Sequence, residues 1–219
     1  MEPIWDWNLA LGNAKGRDGY VPEHWYWPQL DDRQYSWFRR LFEDPDFAQR
    51  YVDRWAELRT NVFAPSNMLA RIDQFAALLQ EPAARNFERW PILGTTAGME
   101  YPTFKTYAEE IGYLKGWITN RLAWINAQFM PPPALAVAES AVAGGSPLSL
   151  TGAVGRIYFT LDGSDPRAPG GGASPSAQAY QLPVRLNGEV RLTARVQNET
   201  RWSSPLRARF VVKPSESGN

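Results

Sequence analysis

The sequence predicts an α + β multidomain chain, a helical bundle followed by a β-sandwich, and three observations carry that prediction. Up to Phe129 the apolar residues recur every three or four positions, the period of a helix face. Met130-Pro131-Pro132-Pro133 then interrupts the chain; three prolines fix φ and remove three backbone donors, so the preceding helix must end and the chain runs extended. Beyond them, short runs of alternating apolar and polar residues are separated by Gly, Ser and Pro, which is the period of half-buried strands.

The first 33 residues are rich in aromatics and show no regular period, and residues 34–129 read as the bundle. Asp44 is placed to cap a helix whose first position is Pro45. Phe47, Tyr51, Trp55 and Leu58 form its apolar stripe, with Arg50, Asp53, Arg54 and Glu57 on other faces. Ser66 can cap a second helix carrying Leu69, Ile72, Phe75 and Leu79, and a short third runs from Pro82 to Trp90. The longest starts near Pro102 and aligns Tyr107, Ile111, Leu114, Ile118, Leu122, Ile125 and Phe129, with Glu109-Glu110 on a solvated face.

In the second part, residues 155–161 make a strand that runs into the Asp162-Gly163 turn. Val190, Leu192, Ala194 and Val196 alternate with Arg191, Thr193, Arg195 and Gln197, and Leu206, Ala208, Phe210 and Val212 alternate with Arg207, Arg209 and Val211. Each strand thus has one apolar face and one mainly polar face. Gly170-Gly171-Gly172 reads as a flexible loop insertion. These signals divide the chain into residues 1–130, a proline-rich linker at 131–134, a β-sandwich at 135–213 and a disordered tail at 214–219.

Composition bounds the function. The chain has 219 residues, 44% hydrophobic and 21% charged, which suits one large or two ordinary globular domains. Net charge is zero, so no global field draws it to nucleic acid or a membrane surface. The halves differ, however: residues 1–133 carry a net charge of −3 and residues 134–219 of +3. Without cysteine there is no disulfide framework, thiolate metal site or cysteine nucleophile. No apolar run reaches the roughly 20 residues of a membrane span, and Met1-Glu2-Pro3 does not open a signal peptide.

Several segments occur in a recognisable order. "WDWNLALGN" at 5–13 resembles the tryptophan-aspartate segment of the CotH (spore coat protein H) kinase-like family, although Asn8 stands where that family usually has a second aspartate. Phe38 to Leu41, "DPDFAQRYVDRWAELR" at 44–59 and "YPTFKTYAEEIGYLKGWITNRLAWINAQF" at 101–129 follow as further matching pieces. "IYFTLDGSDPR" at 157–167 and "LTARVQNETRWSSP" at 192–205 resemble the chitobiase/β-hexosaminidase C-terminal module, an immunoglobulin-like sandwich. The resemblance implies that residues 1–130 correspond to the C-lobe of an atypical protein kinase. It places Asp6 where kinases keep a Mg²⁺ ligand and Gly12 at the turn that follows. A hard cation bridging nucleotide phosphates takes carboxylate oxygen, and neutralising charge is much of phosphoryl-transfer catalysis.

In that family the glycine-rich loop, phosphate-contacting lysine and catalytic aspartate precede this segment, and here five residues precede Asp6. The expectation is therefore a kinase fragment with no catalytic residue of its own. Mg²⁺ and ATP would act in the full-length parent, completed by an N-terminal kinase lobe and acting on a protein substrate. The parent would be exported or associated with the cell envelope. A binding module for an envelope polymer or glycan, or a rigid spacer, are the alternatives.

The remaining motifs carry less. His24 is the lone histidine and has no partners for a metal site. Trp25, Tyr26 and Trp27 read as core or interface before they read as a sugar platform. Asp162 to Asp165 lacks the spacing of a calcium loop and reads as a turn. Arg191, Arg195, Arg207 and Arg209 fall on the polar faces of adjacent strands. They form either a solvated surface or a basic face that meets the acidic helical part or an anionic envelope polymer.

Overall fold

The computed structural model describes residues 7–96, 98–136, 141–152 and 154–213. Asp6 and the tail at 214–219 lie outside them. Five helices come first: α1 (Asp32–Glu43), α2 (Pro45–Arg59), α3 (Pro65–Leu78), α4 (Gln80–Arg89) and α5 (Tyr107–Gln128). Ten strands follow: β1 (Ala134–Leu135), β2 (Ala141–Ala143), β3 (Ser146–Leu148), β4 (Leu150–Thr151), β5 (Arg156–Thr160), β6 (Gln178–Ala179), β7 (Val184–Leu186), β8 (Val190–Asn198), β9 (Arg201–Trp202) and β10 (Leu206–Lys213). The class is α + β. The chain forms two compact units, one of Met1–Ser36 and Glu57–Gln128, the other of Trp37–Ala56 and Phe129–Asn219.

In the first unit α5 is the organising helix. Ile118, Leu122 and Ile125 are its buried residues, at the predicted spacing. Its start lies five residues beyond Pro102, because Thr106 and Glu109 build a reciprocal cap. The Glu109 carboxylate accepts the Thr106 amide at 3.0 Å, and the Thr106 hydroxyl accepts the Glu109 amide at 3.2 Å. Glu109 is thus a helix cap. Ser66 does not cap α3 either: the N-cap is Ala64, in extended conformation, with Pro65 at the first helical position. Pro65 can take that position because its missing amide would have had no partner there.

The leading segment is tied to α5 by Arg121. Its guanidinium donates to the carbonyls of Pro22 and His24 and lies 5.3 Å and 5.1 Å from the ring centroids of Trp25 and Trp124. The rings of Trp25 and Trp124 meet edge to face at 5.0 Å. Trp25 therefore belongs to a half-buried anchor.

In the second unit the largest sheet has the order β2-β10-β8-β5-β6, with β9 added to β8. All its pairings are antiparallel except β2 with β10. Two small sheets pair β1 with β4 and β3 with β7. One apolar cluster unites Leu148, Leu150 and Leu186 from the small sheets with Ile157, Phe159, Leu192, Ala194, Val196 and Phe210 from the large one. The alternation of β8 is real, but its polar face is only partly wet: Thr193 and Arg195 are buried as deeply as the core. Nor is the triple glycine a loose insertion. Pro169–Gly171 forms a one-turn 3₁₀ helix in which Gly170 and Gly171 have positive φ, and the Trp202 indole donates to the Gly171 carbonyl at 2.7 Å.

Candidate functional site

Three places hold the residues singled out by sequence: the segment that follows Asp6, the buried Arg195, and an open groove framed by the other three arginines.

The segment Trp7–Asn13 folds as two successive turns, with the Ala10 amide bonded to the Trp7 carbonyl and the Asn13 amide to the Ala10 carbonyl. The Asn13 side chain closes the loop by donating to the Asn8 carbonyl at 2.7 Å. Gly12 has φ +94°, and a Cβ there would stand 2.5 Å from the Trp117 ring, so both conformation and space require glycine. The Gly12 carbonyl accepts the Tyr113 hydroxyl at 3.1 Å, which joins this turn to α5.

Trp7, Asn8, Leu11 and Asn13 form one wall of a cavity of about 410 Å³. Phe104, Ile111 and Leu114 form much of the rest, and Glu100 and Glu110 both line it. Burial, and then the charge of Glu100, push the Glu110 carboxyl above its usual value. Sequence reasoning placed Glu110 on a solvated face. The signal that separates it from Glu109 is the capping box, which turns Glu109 back to the helix end and Glu110 a further 100° round the helix. Asp6 precedes Trp7 in the chain and lies outside the described residues. Among the described residues no three His, Cys, Asp or Glu side chains converge as a metal site.

Arg195 is 1% exposed, and all five of its donors are used. Two go to Asp165 at 2.8 and 2.6 Å, two to Asp53 at 2.7 Å each, and one to the Ser203 carbonyl at 2.7 Å. The buried Gln49 amide donates to Asp53 and to the same Ser203 carbonyl. Burial works against the guanidinium charge, yet the two carboxylates prevail and raise its pKa. For Asp165 burial likewise opposes ionisation, and the bonds from Arg195 and the Arg167 amide outweigh it and hold the carboxyl below its usual value.

Two turns before Asp53 on α2, Asp46 pairs with Arg167 at 2.7 Å and accepts the Gly170 amide at 3.0 Å. Those bonds, the Arg167 contact first, hold Asp46 below its usual value. Asp46, Gln49 and Asp53 therefore form a polar stripe at i, i+3 and i+7 on α2, the spacing of one helix face. Sequence reading followed the apolar stripe of this helix and left that spacing unused.

The other three arginines are exposed and share one place. Arg191 and Arg209 are direct cross-strand partners of β8 and β10, and Arg207 stands two residues from Arg209 on the same face. With Gly163, Thr193 and Ala208 they line an open groove of about 360 Å³. Arg209 pairs with Glu189 at 2.7 Å, both side chains being exposed. Asp162 does not form a calcium loop: its carboxylate accepts the Ser164 amide at 2.9 Å and hydroxyl at 2.6 Å, an ordinary turn.

The family model described as CotH kinase protein matches residues 1–125, more than half of the chain. Neither a curated protein nor a solved structure matches it.

Proposed function

Because the chain belongs to the CotH kinase family, we propose that it provides the metal-binding, helical portion of a Mg²⁺- and ATP-dependent protein phosphotransferase. The observation that carries this reading is the family match over residues 1–125, which takes in Trp5-Asp6-Trp7 and Gly12. The helical part corresponds to a kinase C-lobe, and residues 135–213 to a chitobiase-type, immunoglobulin-like module.

The neighbourhood of Trp7 suits such a cation, since the carboxylates of Glu100 and Glu110 line the adjoining cavity and hard cations take oxygen. Asp6 would hold Mg²⁺, which when bound screens the charge of nucleotide phosphates. The residues of this chain then do the positioning. Gly12, locked against Trp117 and bonded to Tyr113, fixes the turn that follows Asp6. The nucleotide itself is gripped by elements other than these 219 residues, because no glycine-rich phosphate loop occurs among them. The parent protein is exported or held at the cell envelope.

Calorimetric titration of the chain with Mg-ATP tests the central claim. The expected result is no micromolar binding. Adding an N-terminal nucleotide-binding lobe of the same family should confer ATP-dependent phosphate transfer to protein, and Asp6→Asn should abolish that transfer. Micromolar binding by the chain alone would overturn its dependence on other elements, and full transfer by the Asp6→Asn form would overturn the metal assignment. The three exposed arginines favour a second reading, in which the β part attaches the protein to another molecule.

A further inference from the structure

We propose that the groove framed by Arg191, Arg207 and Arg209 binds phosphomonoester side chains of a protein, the product class of the phosphotransferase reading on which this inference rests. Arg191 and Arg209 sit directly opposite each other across β8 and β10. Like charges at such a position repel, and Arg207 adds a third cation on the same face. Glu189 answers only one of them, through Arg209. Arg191 and Arg207 form no ion pair among the described residues; Asp165 acts on Arg207 at a distance, but its oxygens are engaged by Arg195 and the Arg167 amide. The groove thus holds three like charges, one bonded counter-charge and the more distant field of Asp165.

The rest of the lining is small, already committed or, at Leu192, turned into the core. Gly163 and Ala208 leave the floor open, and the Thr193 hydroxyl is spent on the Gly163 carbonyl at 3.1 Å. Recognition must therefore come from the guanidinium forks. Every cation in the groove is arginine, and arginine, unlike lysine, matches phosphate oxygens in pairs. Three cations against one bonded counter-charge leave an excess of positive charge, which Asp165, committed mainly to Arg195, offsets only in part. That suits a phosphomonoester, with about −1.5 to −2 charge at neutral pH, better than a phosphodiester with a single charge. The volume of about 360 Å³ also accommodates one phosphoryl group with its side chain.

The same strands show what happens when the counter-charges are supplied. Arg195, farther along β8, is capped by two carboxylates and carries no free donor. Arg191 and Arg207 have no such partner and remain available.

The test is fluorescence anisotropy of the full chain with a labelled ten-residue Gly-Ala peptide carrying one phosphoserine. The unphosphorylated peptide and a glycerol-phosphate polymer serve as comparisons. The phosphopeptide should bind at least about tenfold more tightly than either, with affinity falling as salt rises. Arg191→Gln with Arg207→Gln should remove that preference, while Arg71→Gln in the first unit leaves it intact. All three sites are on the surface, so thermal unfolding should be unchanged. Equal binding of both peptides, tighter binding of the diester polymer, or a preference that survives loss of both arginines would each overturn the proposal. The phosphopeptide is made synthetically and no ATP is present, so failure of the groove is distinguishable from failure of the phosphotransferase reading. Should either arginine variant unfold, the comparison of the two peptides with the unaltered chain still decides the matter.

Discussion

Asp165 and Glu110 are carboxylates partly withdrawn from water, and their surroundings drive them in opposite directions. Asp165 in the second unit meets Arg195, and the contact overcomes burial and keeps the group ionised. Glu110 in the first unit meets a second carboxylate, Glu100, across a cavity, and its charge is disfavoured. The first arrangement is a closed structural network in which every guanidinium donor has an acceptor. The second leaves charge uncompensated inside a concavity, which folding alone does not call for.

The sharpest way to break the contrast is to remove the cation from the closed network. Arg195→Met leaves Asp53 and Asp165 without the cation that bonds both, with Arg207 acting on Asp165 only at a distance. Breaking a buried pair costs about 3–5 kcal/mol, and the lower end applies because these carboxylates keep 29% and 38% of their side-chain surface exposed. We expect a loss of about 3 kcal/mol, read from urea unfolding and from faster amide exchange along β8. Adding Asp53→Asn and Asp165→Asn to that variant should recover much of the loss, since no unpaired charge then remains. A loss below about 1 kcal/mol for Arg195→Met would show that water reaches these carboxylates freely.

In the first unit the corresponding break is steric. Gly12→Ala would place a Cβ 2.5 Å from the Trp117 ring at φ +94°. Left-handed backbone costs a non-glycine residue about 1–2 kcal/mol, and the ring must also move. We expect a loss of about 2 kcal/mol in the first unit with amide exchange along β8 unchanged. An unaffected stability would mean that the turn after Asp6 is not held against α5.

How far these features can be read from sequence depends on whether their partners are close in the chain. The buried centre of the α5 stripe, the strand pairing of β8 with β10 and the turn at Asp162 are local patterns and are present as read, whereas the polar face of β8 is covered at Thr193 and Arg195. The capping box of Thr106 and Glu109 is equally local and could have placed the start of α5. The fate of Arg195 is another matter. Its three arginine neighbours in pattern look like it in sequence, and only contacts spanning 142 and 30 residues select it for burial. Period-two alternation reports which face a residue lies on, but not whether that face is covered. The triple glycine misled for the same reason, because its order depends on Trp202 and Asp46.

The smallest expected effect tests the open half of the comparison. With a folded-state pKa above its unfolded value of about 4.3, Glu110 binds more protons in the folded state than in the unfolded one. The stability it contributes is therefore fully present below the unfolded value and is lost as pH rises through the folded one. Asp165, whose value is lowered, has the opposite sign: its contribution is present above the unfolded value, about 3.9, and is lost as pH falls through the folded one. Glu110→Gln should stabilise the first unit at neutral pH by less than about 1 kcal/mol, a small gain because much of the group faces solvent. It should also flatten the decline in stability above about pH 4.3. Added salt should shrink the difference between the two forms, since Glu100 acts on Glu110 through a screenable field. If the glutamine form is less stable than the parent at neutral pH, the carboxylate has a favourable partner and the cavity is no longer the uncompensated counterpart of the Arg195 network.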